Sequence, residues 1–211
     1  MPNPQPKTKP ASRVRERPEP AAATRRGNDR IDALISAALD AFWSKGFHGT
    51  NINEIGAAAG VTGPALYRHF KSKHELLAET IWMAVRLVAR AGRSVRERDL
   101  PARDALNALC EIFVDVAVDN PKLLAVYALE ARHLPADLAV ELKRNERLFR
   151  EEFVHLITTI RPDVIDADAR ALVRGALFVV IGACLEETGM DKGRAKRLLT
   201  KMMVATLGAA T

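Results

Sequence analysis

The stretch GVTGPALYRHFKSKHELL, residues 60–77, decides the fold because helix-ending and helix-starting signals surround one short aromatic segment. Gly60 can take the left-handed backbone that ends a helix and that other residues resist. Thr62 can cap the helix that follows, and Ser72, with Glu75 three residues later, forms the capping box of another helix. The helix between these caps has barely two turns. So short a helix contributes little to a hydrophobic core, whereas it can lie in a groove of a partner molecule.

A second short helix lies immediately upstream of this stretch. Thr50 can cap it, and its apolar residues recur at helical spacing over residues 52–59. In the next helix Leu66 and Phe70 lie four residues apart and face inward together, which leaves the residues between them pointing outward. A helix, a glycine turn and a short second helix form a helix-turn-helix, whose second helix can lie in the major groove of DNA.

Helical patterns cover the rest of the chain. The first helix begins near Asn28, with Asn28 or Asp29 as its N-cap, and Gly46 supplies its stop signal. The sequence contains no alternating strand pattern, no repeat and no Gly-rich phosphate loop. We therefore predict an all-α protein. The later helices are expected over residues 72–96, 104–119, 121–135, 137–160, 166–188 and 192–207.

The bulk composition fits one substantial core, or a small domain attached to a larger one, since 48% of the 211 residues are hydrophobic. Cys110 and Cys184 form neither a disulfide framework nor a C-x-x-C site, so we expect two buried thiols in a reducing cytosol. The longest apolar run, residues 176–185, is too short to span a bilayer, and the N-terminus lacks the apolar stretch of a signal peptide. We expect a soluble, cytoplasmic protein without a membrane partner.

Three histidines, His48, His69 and His74, do not predict a metal site. Their spacings of 21 and 5 residues put no two of them on one helical face, and no carboxylate cluster completes a ligand shell. We expect neither a metal ion nor another cofactor.

Residues 1–27 carry most of the net charge of +6. They hold seven basic residues against two acidic ones, which gives +5, and they contain six prolines. Such a segment buries too little apolar surface to offset its ordering entropy, so we expect disorder. Two interpretations stay open: a basic arm that touches DNA phosphates, with Arg25 and Arg26 nearest the fold, or a solvated tail without a role. The remaining charge does not by itself indicate that the folded part binds nucleic acid.

Residues 50–77, TNINEIGAAAGVTGPALYRHFKSKHELL, resemble the DNA-binding region of TetR-family transcriptional regulators. The chain length and the all-helical pattern are also similar to that family. The motif match covers roughly residues 29–80, whereas the C-terminal half is similar only in being all-helical. It implies a three-helix helix-turn-helix DNA-binding domain at residues 28–75. It also implies a helical ligand-binding and dimerisation domain at residues 76–211, linked to the first by the helix over residues 72–96.

The resemblance further implies which residues face DNA. The recognition helix would be residues 62–70, and Tyr67 would pack on the sugar-phosphate backbone. Thr50 and Lys73 would contact phosphates, which suits a hydroxyl at a helix start and a free lysine. The predicted contacts also include Thr62, Gly63, Pro64, Ala65, Arg68, His69, Arg25 and Arg26.

Three positions depart from the pattern of the family. The family often has a lysine and a glycine where this chain has Gly63 and Pro64, so base readout is expected to lean on Thr62, Arg68 and the basic arm. The family also often has a proline where this chain has Lys71, which adds a charge near the DNA backbone.

The C-terminal domain of the family forms a ligand pocket. Polar side chains among apolar ones in YALEARHLP, residues 127–135, predict either the polar edge of an apolar effector pocket or a surface helix end with ion pairs. The segment is similar to that of actinobacterial-type members that answer to fatty acyl or other lipid-derived ligands, which implies a small apolar effector. The candidate pocket residues are Phe113, Tyr127, Glu130, His133, His155 and Phe178.

The last two long helices of the family usually form a four-helix bundle across a two-fold axis. Small residues over 175–183 would let helices approach closely here, although the same pattern suits a buried helix within one subunit. The candidate interface residues are Leu172, Gly175, Val179, Gly182, Ala183, Leu199 and Met203.

Together these observations favour a bacterial, ligand-responsive repressor that binds a palindromic DNA operator as a homodimer and is released by its effector. Activation stays open, because it depends on where the operator lies. A nucleoid-type or adaptor protein that binds DNA through its tail without sequence preference is a second class. A helical enzyme is a third class, and its candidate residues would be Glu130, His133, His155 and Glu186.

Overall fold

The structure is a computed structural model that describes residues 25–185 and 189–208, without the side chains of residues 25–28, 63 and 64. Over these residues the chain is helical and contains no strand, so the all-α prediction is confirmed. The helices are α1 (Arg25–Gly49), α2 (Ile52–Ala58), α3 (Gly63–His69), α4 (Lys73–Arg96), α5 (Ala102–Asp119), α6 (Pro121–Glu130), α7 (Ala136–Ile160), α8 (Asp166–Ala183) and α9 (Lys192–Gly208), with a 3-10 helix (Ala131–His133) after α6.

Two helix ends differ from the prediction. α1 begins at Arg25, so neither Asn28 nor Asp29 is its N-cap, and residues 25–27 of the predicted arm are helical. Arginine is a good helix former and one glycine costs only about 1 kcal/mol, so the helix extends over Gly27. α8 ends at Ala183, before the predicted residue 188. Residues 1–24 of the arm and residues 186–188 lie outside the described residues.

A small apolar core holds the helix-turn-helix together. Its centre consists of buried side chains from α1 to α4 and the turns between them: Leu34, Phe42, Ile55, Leu66, Phe70 and Leu76. Gly60, with φ 65°, makes the turn between α2 and α3, as predicted. At Gly56 a Cβ atom would lie 2.9 Å from the backbone oxygen of Val61. This close approach fixes how α2 leads into the turn.

The C-terminal helices build a second core. α8 packs on α9, both pack on α5, and α7 packs on α5 and α8. Phe153 and Met203 lie fully buried in this core with Cys110, which is a free thiol, as is the buried Cys184. Burial raises the pKa of the Cys110 thiol to about 12, which keeps it protonated and unreactive. No described helix is long and apolar enough to cross a membrane.

Two helices, α4 and α6, contribute to both cores. On α4, Leu77 lies in the N-terminal core and Val95 in the C-terminal one. On α6, Val126 lies in the N-terminal core and Leu124 in the C-terminal one. α1 packs directly on α4 and α6. A displacement of α6 would therefore be felt in both halves of the molecule.

Candidate nucleic-acid interface and effector cavity

The short helix α3 presents a polar face to solvent and an apolar face to the core. Leu66 and Phe70 are buried as predicted, whereas Tyr67 is 50% exposed. Arg68 and His69 are also exposed. The apolar face of the helix is thus anchored in the core and its polar face is open to solvent, which is the arrangement that a helix needs in order to enter a groove of DNA.

Thr62 is the N-cap residue of α3, as predicted, but its side chain makes no capping hydrogen bond with the described residues. The backbone explains this, because the second helical position is Pro64, which has no N–H, and the N–H of Ala65 donates to the Thr62 carbonyl at 2.9 Å. The exposed Thr62 hydroxyl is therefore available to a partner. Ala65 is half-buried, while Gly63 and Pro64 lie in the helix without described side chains.

The Thr50 hydroxyl lies at the end of α1 and does not cap α2. It is 4% exposed, and its hydroxyl points inward, 2.7 Å from the Gly46 carbonyl oxygen to which it donates. The cap of α2 is instead Asn51, whose side-chain oxygen accepts a hydrogen bond of 2.9 Å from the Asn53 N–H. The prediction that Thr50 caps α2 is therefore wrong. Its hydroxyl fastens the end of α1, because Gly46 breaks the helix with φ 66° and leaves a carbonyl to be satisfied.

Lys73 also contacts its own chain. Its Nζ donates to the carbonyl oxygens of Phe47 at 2.8 Å and of Thr50 at 3.0 Å, and lies 4.5 Å from the centroid of the Phe47 ring. These contacts join the start of α4 to the end of α1. Lys73 and Tyr67 line one shallow cleft with residues 48–52. The structure thus brings Thr50, Tyr67 and Lys73, all predicted to contact the DNA backbone, to one concave surface.

The cap of α4 is confirmed, with one change. Ser72 Oγ accepts a hydrogen bond of 3.2 Å from the Glu75 N–H, as predicted. The Glu75 carboxylate accepts from the N–H of Lys71 at 2.7 Å instead of returning to Ser72. A proline at position 71 would lack this N–H, so Lys71 contributes a backbone contact as well as a charge. The predicted contacts Arg25 and Arg26 begin α1, but their side chains lie outside the described residues.

A cavity of about 310 Å³ lies between α4, α5, α6, α7 and α8. Of the six predicted pocket residues, Phe113, Tyr127 and Phe178 line it. Its other apolar walls come from Ala84, Val85, Val88, Ala89, Leu124, Ala128, Ala131, Phe149, Leu177 and Ile181. This size and this lining suit a small apolar ligand.

Polar groups on α7 line one part of this cavity. The Tyr127 hydroxyl donates to Glu146 at 2.5 Å, and Arg150 lies 3.5 Å from the same carboxylate. Burial, followed by the charge of Glu146, raises the pKa of Tyr127, so the phenol stays protonated and donates. Asn145 and the exposed Arg174 also line the cavity. Asn145, Glu146, Arg150 and Arg174 were not among the predicted pocket residues, because their positions in the sequence are typical of the solvated side of an amphipathic helix.

The other three predicted pocket residues lie elsewhere. Glu130 is 8% exposed, and its carboxylate accepts a hydrogen bond of 3.1 Å from the Phe47 N–H at the end of α1. His133 stacks on the Phe47 ring, with 5.1 Å between ring centroids, and lies 3.5 Å from Glu130. His155 is exposed on α7. The YALEARHLP segment therefore turns Tyr127, Ala128 and Ala131 to the cavity and its polar end to the helix-turn-helix.

Three histidines lie around Phe47 at this junction. His48 and His133 lie 4.5 Å apart, and His74 lies 4.8 Å from Phe47, measured between ring centroids. The described residues nonetheless contain no group of three side chains that could hold a metal ion. Burial, followed by the charge of His48, lowers the pKa of His133 below its ordinary value, so the neutral imidazole is favoured.

The exposed apolar surface of α8 and α9 differs in part from the predicted interface. Gly175 and Gly182 are exposed, and Leu172, Val179 and Ala183 are half-buried. Leu199 and Met203, however, are 5% and 0% exposed and belong to the core, so their placement in an interface is wrong. The large apolar side chains that are exposed on α8 and α9 are Phe178, Leu198 and Met202. On α9 the prediction was off by one residue, which rotates a helical face by about 100°.

Residues 34–80 match the family model described as bacterial regulatory proteins, tetR family. This segment spans most of α1, all of α2 and α3, and the start of α4. The match therefore coincides with the helix-turn-helix described above.

Two relatives are similar over a longer segment. The HTH-type transcriptional activator FasR of Mycolicibacterium smegmatis is 35% identical over 46% of this chain and 46% of its own length. The HTH-type transcriptional repressor KstR2 of Rhodococcus jostii is 28% identical over 57% of this chain and 59% of its own. The chain thus spans about half the length of the relatives that it matches.

The fold is similar to that of AibR, whose crystal structure contains isovaleryl coenzyme A and operator DNA. The TM-score is 0.71 over 82% of this chain and 97% of that chain, at 16% identity. At this identity the similarity extends to the fold, including the C-terminal helices that the family model leaves uncovered.

Proposed function

We propose that this chain, as a member of the TetR family of transcriptional regulators, is a ligand-responsive repressor. It would act as a homodimer. In this proposal α3 lies in the major groove of a palindromic operator, and a small apolar effector releases the DNA. The observation that carries the proposal is the exposed face of α3. Tyr67 projects from a helix that Leu66 and Phe70 anchor in the core.

The cleft beside α3 supports a contact with the DNA backbone. Tyr67 and Lys73 both line it, and a phenol and an ammonium group both donate to phosphate oxygens. Lys73 uses two N–H groups on its own chain, which leaves one N–H and its positive charge for a phosphate. Base readout then falls to the exposed side chains of Thr62 and Arg68, because arginine pairs with guanine and threonine with several bases.

The exposed apolar side chains of α8 and α9 support a two-fold dimer. Phe178 on α8 is 67% exposed, and Leu198 and Met202 on α9 are 43% and 42% exposed. A Cβ atom at Gly182 would meet nothing within 4 Å, so a partner helix can approach the backbone there. A dimer of helix-turn-helix domains reads half-sites about 34–36 Å apart. The proposed operator is therefore a near-palindrome with this spacing.

Helix α6 offers the physical link between effector and DNA. Tyr127 faces the cavity, and Glu130, less than one turn later, holds the end of α1 through Phe47. An effector that shifts α6 would shift α1 and, with it, the distance between the two recognition helices of a dimer. This works only if the effector binds the two arrangements with unequal affinity.

The lining of the cavity supports an apolar effector, and the similarity to AibR favours an acyl-derived one. The direction of regulation is a separate matter, because FasR is named an activator and KstR2 a repressor. Repression is proposed because a dimer bound at a promoter excludes polymerase without needing a further contact surface.

The test is binding of the full chain to DNA flanking its own gene, against scrambled DNA, by fluorescence anisotropy at rising salt. We expect the wild type to keep a salt-resistant preference for the native fragment and Tyr67→Ala to lose it. Trp43→Ala is the matched control, since Trp43 is another exposed aromatic residue but lies on α1. Equal binding of wild type and Tyr67→Ala to both DNAs would contradict the proposal.

The two other classes make different predictions. A protein that binds DNA through its tail loses all binding when residues 1–27 are deleted, whereas a helix-turn-helix reader shows a milder, salt-sensitive loss. For an enzyme, the predicted residues are not gathered at one site. Glu130 and His133 contact Phe47 at the end of α1, whereas His155 is exposed on α7. Glu186 lies outside the described residues. Turnover of a cavity ligand by the purified protein would revive this class.

A further inference from the structure

A buried amide borders the effector cavity with both of its polar atoms unpaired. Asn145, on α7, is 3% exposed and lines the cavity. Neither its Nδ2 nor its Oδ1 has a hydrogen-bond partner among the described residues. A buried donor and a buried acceptor without partners destabilise a fold, and a leucine of similar size would avoid this. The folding of the chain alone therefore gives no reason for asparagine at this position.

The neighbouring polar groups do not supply partners for this amide. Glu146 is already engaged by the Tyr127 hydroxyl at 2.5 Å and lies 3.5 Å from Arg150. The other walls of the cavity include apolar side chains such as Phe149 and Leu177. A molecule bound in the cavity is consequently the group that can pair with Asn145, and it must bring both an acceptor and a donor.

We propose that Asn145 is the specificity-determining residue for an effector that joins an acyl chain to a carbonyl acceptor and a nearby N–H donor. The inference rests on the proposed function and narrows its effector class. The effector carbonyl accepts from Nδ2, its N–H donates to Oδ1, and its hydrocarbon chain fills the apolar cavity. A fatty carboxylate or an ester offers acceptors only, so Oδ1 stays unpaired, and a hydrocarbon satisfies neither atom.

This chemistry has two sources. A neutral N-acyl amide carries both groups in one unit, and an acyl thioester of coenzyme A carries them as the thioester carbonyl and the pantetheine amide. Arg174 separates the two, because it is exposed at the cavity and has no ion-pair partner among the described residues. A phosphate-bearing effector would gain from this guanidinium, whereas a neutral amide would not.

The test uses two probes that differ in one group, N-butyl octanamide and butyl octanoate, titrated into the full chain by calorimetry. We expect the amide to bind the wild type at least about tenfold more tightly, because the ester leaves a buried acceptor unpaired. Equal affinities, or no binding of the amide, would overturn the inference. Binding to the native DNA fragment needs no effector, so the proposed function is judged separately.

Two variants test the role of the residue itself. In Asn145→Leu the ratio of the two affinities should fall to about one, while the melting temperature of the free protein stays equal or rises. Phe149→Leu is the control in the same cavity, where both probes should weaken together and the ratio should persist. A retained ratio in Asn145→Leu, or a melting temperature several degrees lower, would assign Asn145 a structural role and overturn the inference.

A third probe, octanoyl-coenzyme A, identifies the source. If it binds more tightly than N-butyl octanamide, and Arg174→Ala or high salt removes this advantage, the effector is a coenzyme A thioester. If the amide binds at least as tightly and Arg174→Ala changes nothing, the effector is a neutral N-acyl amide. Either outcome supports the shared chemistry, provided that both probes respond to Asn145→Leu.

Discussion

The carboxylate of Glu130 accepts a hydrogen bond of 3.1 Å from the backbone N–H of Phe47, which ties the last residue of α6 to the end of α1. Both residues are buried, and a Cβ atom at Gly46, where α1 breaks, would lie 3.5 Å from Glu130 Oε1. Three residues earlier on α6, Tyr127 lines the cavity. One short helix thus contacts the cavity and the helix-turn-helix within a single turn.

Removing this tie should weaken both the fold and the response to effector. In Glu130→Ala the buried Phe47 N–H loses its acceptor, so we expect a loss of about 1–3 kcal/mol in the free energy of unfolding. The effector concentration that releases operator DNA should also rise. Urea unfolding and anisotropy measure the two effects. Lys122→Ala is the control, because it removes an exposed α6–α1 ion pair with Asp40, worth about 0–1 kcal/mol. Equal effects of the two variants would contradict this role of Glu130.

Two neighbouring lysines should respond differently to substitution. Lys73→Met leaves the Phe47 and Thr50 carbonyl oxygens without this donor, so we expect a loss of about 1–3 kcal/mol in stability together with weaker DNA binding. Lys71 is exposed, and its structural contact is made by its backbone N–H. Lys71→Met should therefore keep the stability and only reduce the salt dependence of DNA binding. Thermal unfolding and salt titrations separate the two effects, and a destabilised Lys71→Met would be unexpected.

Stability should fall as the pH drops below about 6.5, in part through His133. Burial and the charge of His48 hold the pKa of His133 below its ordinary value. Arg132 and His74 lower this pKa further, and Glu130 acts in the opposite direction. The unfolded chain therefore takes up the proton first as the pH falls, which favours unfolding until the folded state is protonated too. Above the ordinary pKa the contribution of this residue is constant.

Urea unfolding between pH 7 and pH 5 measures this effect. His133→Gln should flatten the pH dependence of the free energy of unfolding, because the variant has no group to titrate there. The exposed His155 provides the control, and His155→Gln should keep the wild-type slope. An unchanged slope in His133→Gln would show that another group of the junction carries the pH dependence.

Adjacent residues of α9 should have opposite effects when a charge is introduced. Met202 is 42% exposed and Met203 is 0% exposed. Met202→Glu places a charge on the proposed dimer face, so we expect folded monomers by light scattering. Met203→Glu buries a charge in the core, so we expect loss of the folded subunit by circular dichroism. A Met202→Glu variant that stays dimeric would place the interface elsewhere.

The helix-turn-helix could be predicted from the sequence almost residue by residue. Gly60, Thr62 and Ser72 act within a few residues of chain, so local backbone preference decides their positions. Thr50 shows the limit of such local reasoning. Its hydroxyl could cap the next helix, but the carbonyl of Gly46, freed by the break in α1, lies closer in the fold.

The C-terminal site was less predictable, because its residues meet only through tertiary packing. Phe113, Tyr127 and Phe178, the three predicted pocket residues that line the cavity, come from three different helices. Asn145 was not predicted, since a polar residue in an amphipathic helix is ordinarily solvated. The error between Leu199 and Leu198 has the same origin, because α9 has apolar residues on two adjacent faces and periodicity does not say which one is buried.

Phe178 lines the cavity and yet is 67% exposed on the α8 surface that is proposed to pair with a second subunit. The Phe178 ring would therefore contact both the ligand and the second subunit, so ligand binding and subunit association are coupled through it. By linkage, if dimerisation changes the effector affinity by some factor, effector binding changes the dimerisation constant by the same factor. The apparent dissociation constant for effector should then vary with protein concentration across the monomer–dimer transition. A regulator built in this way would sense its own abundance as well as its ligand.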